Sequence, residues 1–129
     1  MKLNNKGQSL VIFILIIPII LLLFVLIYDV ADAIYEKNRL SNTSYLAIEY
    51  ALDNINSIDE NSVVDYILKN SDNLNNISVI IKDKIIEIEL DKTFKGIFGS
   101  GFNFDLVEIR SKYKGTIVNG EKNIERIKW

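Results

Sequence analysis

Residues 7–28, GQSLVIFILIIPIILLLFVLIY, carry no charged side chain. From Leu10 to Tyr28 the apolar run is nineteen residues long and only Pro18 interrupts it. As a helix rising about 1.5 Å per residue it covers roughly 28 Å, close to the ~30 Å hydrocarbon core of a bilayer. A surface helix or strand alternates apolar with polar residues at a period of 3.6 or 2, and this run offers water no polar face. One transmembrane helix over residues 10–28 is therefore expected, behind a leader of residues 1–9.

Orientation follows from the flanks. Lys2 and Lys6 precede the run, whereas Asp29, Asp32 and Glu36 follow it before the first cation at Lys37. Lysine and arginine near a span mark its cytoplasmic side, so the N-terminus is expected inside the cell membrane and the bulk of the chain outside. A competing reading is secretion with cleavage after Ala33, because Ala31-Asp32-Ala33 has the small-x-small form of a signal peptidase site. Against it, the apolar core exceeds the usual ~7–15 residues of a signal and two aspartates crowd the site. Pro18 deprives the Ile14 carbonyl of its helical donor, which gives either a harmless bend or a kink that faces a partner.

Beyond Tyr28 the helical pattern continues. Ile27, Ala31, Ile34, Asn38, Ser41, Tyr45, Ile48, Leu52 and Ile55 recur at alternating steps of four and three, with no Gly or Pro between Pro18 and Gly96. A single helix from about Ser9 to about Ile55 would be near 70 Å long. Residues 29–56 are thus expected to extend the span outside the membrane, the part from Tyr45 upward packing against a head formed by residues 57–129. Asp29, Asp32 and Glu36 share one helix face. They either mark the exit into water or form an acidic docking face for a partner at the membrane edge.

Within the head, Ser57-Ile58-Asp59-Glu60 fits a capping box with Ser57 as N-cap, and Val63, Val64, Ile67 and Leu68 give a short amphipathic helix. From Ile77 the period becomes that of strands. Ile77–Lys82 and Ile85–Leu90 flank Asp83-Lys84 as a hairpin, and Asn119-Gly120 joins a strand within Leu106–Val118 to Lys122–Trp129. Between the hairpins, Thr93–Phe104 interleaves Gly96, Gly99 and Gly101 with Phe94, Ile97, Phe98, Phe102 and Phe104. It reads as a flexible aromatic connection or as a tip that touches membrane or partner; it lacks the lysine of a phosphate loop. The fold class is α+β: a long N-terminal helix, a short helix, and an antiparallel sheet of three or four strands.

Composition narrows the functions. The chain has no cysteine and no histidine, which excludes disulfides, Cys/His zinc sites and triads that use histidine. Its net charge of −2 gives no nucleic-acid footprint. No catalytic constellation, cofactor motif or small-molecule site is evident, so a non-enzymatic role is expected. Residues Glu49–Asp65 carry five carboxylates and no cation, while Arg110, Lys112, Lys114, Lys122, Arg126 and Lys128 make the C-terminal region basic.

Residues 6–52, KGQSLVIFILIIPIILLLFVLIYDVADAIYEKNRLSNTSYLAIEYAL, resemble the N-terminal segment of TadE/TadG-like proteins of the tight-adherence (Flp) pilus system. The shared features are a Lys-Gly before the span, the proline within it, Asp29 at its far edge, and Arg39-Leu40-x-Asn42 leading into a helix with Ala47 and Ala51. The resemblance implies a pilin-like fold and a membrane-bound minor pilin or assembly component, with pilus or secretion subunits as partners. In the TadE branch a prepilin peptidase cuts after the glycine, here Gly7, leaving Gln8 first. That branch usually has Glu at the fifth mature position, where this chain has Ile12; the TadG-like branch, which commonly lacks it, fits better. The alternative function is an anchored extracytoplasmic binding or adhesion domain unrelated to pili.

Overall fold

Seven elements follow one another along the chain in the computed structural model, which describes residues 5–128. Helix α1 spans Asn5–Asp53, α2 Glu60–Asn70 and α3 Gly96–Phe102; strands β1 Leu74–Lys82, β2 Ile85–Phe94, β3 Val107–Val118 and β4 Glu121–Lys128 form one sheet. Residues 1–4 of the expected leader, with Lys2, and the final Trp129 lie outside the described residues.

The expected long helix is a single element of 49 residues with Pro18 inside it. Nothing in its sequence after Pro18 breaks it until Asp53, slightly short of the expected end near Ile55. Below Tyr28 its apolar side chains face outward, Leu15 64% and Phe24 63% exposed. The helix is long and apolar enough to cross a membrane.

The sheet is antiparallel throughout, in the order β1-β2-β3-β4. Two tight turns set its register. Asp83 and Lys84 have φ of 50° and 63°, Asn119 and Gly120 φ of 53° and 81°. Positive φ at both central residues is the mirror-image turn that matches the twist of paired strands. In β2 burial alternates, with Ile86, Ile88 and Leu90 fully buried between Glu87 and Glu89. That face packs on α1.

The core is therefore shared between helix and sheet. Leu40, Ala47, Ile48, Ala51 and Leu52 of α1 meet Ile86, Ile88, Leu90, Phe94 and Ile109 of the sheet, with Val63 and Ile67 of α2 closing one side. Tyr50 and Tyr66 stack at 4.7 Å between α1 and α2. The approach is close enough that a Cβ on Gly115 of β3 would collide with Ile48 and lie 3.1 Å from Leu52. A side chain at position 115 would push the sheet off the helix. Two hydroxyls on the buried face are satisfied locally: Thr43 donates to the Arg39 carbonyl at 3.0 Å and Ser44 to Leu40 at 3.1 Å. Ser44 also bonds Ser111 of β3 at 3.0 Å, tying the two layers.

Three local expectations need correction. Helix α2 is capped by Asp59, which accepts from the Ser62 amide at 2.9 Å, and not by Ser57. Both residues suit an N-cap; the chain between Asp53 and Asp59 is taken up by turns, including Ser57 N to Asn54 O at 2.9 Å, which moves the start of α2 forward. The Gly/Phe segment is not a loop throughout, since Gly96–Phe102 forms α3. The stripe drawn along α1 is only half right: Ile48 and Leu52 are buried, but Ile27, Ile34 and Tyr45 are 64%, 55% and 43% exposed. The face that meets the head runs instead through Asp29, Ala33, Glu36, Leu40, Ser44 and Ala47.

Candidate functional site where the long helix enters the head

Register fixes the direction of the head along α1. Gly115 lies against Ile48 and Leu52, Ser111 against Ser44, and Lys92, the partner of Ile109 in the sheet, reaches Glu36. Strand β3 thus runs away from the apolar run, and the β2–β3 connection holding α3 lies at the end of the head nearest Tyr28. Both tight turns lie at the far end.

At that near end Asp29 is fully buried. Its carboxylate accepts the backbone N–H groups of Ile97 at 2.8 Å and Phe98 at 3.0 Å, the first turn of α3. Gly96 makes the contact feasible. Its φ of +66° suits glycine, and a Cβ there would lie 2.6 Å from the Asp29 carboxyl carbon. Charge on the carboxylate and the orphan N–H groups of a helix start are complementary. About two turns further up, Glu36 pairs with Lys92 at 2.7 Å, both side chains largely screened from solvent. Asp32, the third acid of this face, is half-buried between them.

The acidic face is thus turned toward the protein's own head, and two of its three carboxylates hold partners within the chain. Sequence alone had offered water or a partner protein for them. The signal for the internal arrangement was in the sequence: Asp29, Glu36 and Leu40 follow the same helical steps as the buried Ala47 and Ala51.

Beside this junction lies a groove of about 530 Å³ between α1 and the start of β3, walled by Leu26, Val30, Ile34, Leu106 and Val107. Lys37 and Arg110 stand at its rim, Arg110 3.3 Å from Glu108. Gly7 and Gln8 are helical and exposed, with nothing within 4 Å of a Cβ on Gly7; Ile12 is 54% exposed. Among the described residues no group of three potential ligands stands close enough to hold a metal ion.

At the far end the acidic stretch meets the basic region at Lys122. Lys122 lies 2.8 Å from Asp53 and 3.4 Å from Glu49. The Asp53 hydrogen bond holds its ammonium pKa above the ordinary 10.5.

Comparison with protein-family models, with curated proteins and with solved structures gave no match.

Proposed function

We propose that the chain is a non-enzymatic, single-pass membrane protein of the TadE/TadG-like kind. It would serve as a minor pilin-like or assembly component of a tight-adherence (Flp, type IVb-like) pilus or a related secretion apparatus, its head outside the cell membrane. One observation carries this. Of the residues on which the resemblance rests above the span, Asp29, Leu40, Ala47 and Ala51 are buried against the head, while Arg39 and Asn42 are exposed. The buried four hold one helix as both anchor and core, so the head is fixed relative to the membrane, as a subunit handed into an assembly requires. Its partners are the bilayer, other subunits of the apparatus and, where Gly7 is cut, a prepilin peptidase.

N-terminal sequencing and intact mass of the native protein, combined with fractionation of sheared surface fibres and membranes, test this. A start at Gln8 with chain in the fibres supports a processed pilin-like subunit. A start at Met1 with chain in membranes together with pilus or secretion subunits supports an assembly component. A start near Ile34 in the medium contradicts both. The groove beside Val30 favours a second reading, an anchored binding domain, which gains if no such subunits accompany the protein.

A further inference from the structure

Helix α3 is built inside out for a water-facing element. Two of its glycines point inward, Gly96 abutting Asp29 and Gly99 placed so that a Cβ would lie 2.5 Å from the Phe104 carbonyl, while Ser100 and Gly101 face outward. Ile97 and Phe102 of α3, and Phe104 just beyond it, point outward at 52%, 70% and 45% exposed, while Phe98 is half-buried. Phe98, Phe102 and Phe104 stack in a row, with ring centroids 6.0 and 6.4 Å apart. Among the described residues little covers the outer faces of Phe102 and Phe104, and burial there would be favourable at about 25 cal/mol per Å².

The position of this patch identifies what covers it. Asp29, one residue beyond the apolar run, accepts the Ile97 and Phe98 amides in the first turn of α3, so the patch is pinned at the level where α1 leaves the bilayer. Two residues along the chain from Phe104 begins the groove walled by Leu106 and Val107, which also holds the exposed Leu26 and Val30 of α1. We infer that α3 is a membrane foot: its phenylalanines insert into the headgroup–acyl boundary of the same bilayer that α1 crosses. Interfacial segments of this kind sink about 5–10 Å into that boundary. A helix of about two turns would bind lipid weakly if free, but the span holds it there at high effective concentration. Lys95 and Asp105 flank the patch with opposite charges, so the attachment depends on apolar burial and takes a zwitterionic surface. The foot, with Asp29 and Glu36 behind it, fixes the height and tilt of the head over the membrane. This rests on α1 spanning the bilayer, independently of any pilus.

The test uses the full chain in phosphatidylcholine vesicles, with Trp129→Phe removing the native tryptophan and one new tryptophan added at a time. Phe102→Trp and Phe104→Trp probe the foot, Leu15→Trp the middle of the span, and Val118→Trp the far end. The foot tryptophans are expected to emit blue-shifted and to be quenched by lipid brominated near the headgroup end of its chains, unchanged by high salt or added anionic lipid. Leu15→Trp should respond to bromines near the chain ends and Val118→Trp to neither. Water-like emission at both foot positions overturns the foot while a quenched Leu15→Trp preserves the span. Blue-shifted but unquenched emission means protein covers the rings and also overturns it. An unquenched Leu15→Trp overturns foot and span together.

Discussion

The two halves of α1 obey opposite rules on one unbroken helix. Below Tyr28 its side chains are Leu, Ile, Val and Phe and are exposed; above, the buried face is Asp29, Leu40, Ser44, Ala47, Ile48 and Ala51. A soluble helix hides its large apolar residues and shows its acids. Here the largest apolar surface lies where lipid is the expected solvent, and an acid is buried where the head's amides are its solvent. The upper half needs small residues because the sheet must come close, as the Gly115 contact requires. The lower half needs bulk because little among the described residues fills the space around it.

This contrast can be broken first in the upper half. Ile48→Ala removes methyl groups from the tightest helix–sheet contact and should lower head stability by about 2–5 kcal/mol in thermal or denaturant unfolding. Leu15→Ala should leave that transition unmoved; an equal loss would mean the halves are not energetically distinct. Next, Leu15→Arg should cost about 3–4 kcal/mol in membrane insertion, read as the inserted fraction of a glycosylation-tagged chain, while the head of the inserted chain keeps its fold signature. Third, Asp29→Ala orphans the Ile97 and Phe98 amides and should release about 1–3 kcal/mol locally, read as faster hydrogen exchange there with little change at Ile88. Gly96→Ala should mimic it, because its Cβ occupies the carboxylate's place.

The smallest effect concerns pH. Hydrogen bonds from the Ser62 hydroxyl and amide hold the Asp59 pKa below its ordinary 3.8. A depressed carboxylate stabilises the fold above its unfolded pKa and loses that contribution as pH falls through the folded one. Wild type should therefore lose α2 protection below about pH 3.8, and Asp59→Asn, which keeps a cap without the charge, should flatten that dependence. Lys122 works in the opposite sense. Its raised pKa contributes below 10.5 and fades as pH climbs through the folded value.

Much of the architecture was legible in the residues. The charge-free run, the strand periods and the turn pairs Asp83-Lys84 and Asn119-Gly120 are local signals, and the helix, the sheet and its hairpins follow from them. What escaped was set by tertiary contacts. Helix α3 hid behind three glycines, residues of low helix propensity, because the turn is held from outside by Asp29 and by close packing at Gly99. The inner face of α1 was misjudged between residues 27 and 45 because hydrophobicity alone chose the stripe, and the winning face there is partly acidic. Once the amides of Ile97 and Phe98 and the ammonium of Lys92 supply partners, Asp29 and Glu36 belong inside. The junction was therefore visible as a set of residues but not as a connected site.

The central claim is that one continuous helix is both the apolar span and the core of the head, with no hinge at the exit. Hydrogen–deuterium exchange on the full chain in phospholipid nanodiscs tests it most directly. Protection should run unbroken from the span through residues 29–40 to Ala51, with the Ile97 and Phe98 amides protected alongside. Rapid exchange across residues 29–40, between a protected span and a protected head, would contradict it and make the junction a flexible tether.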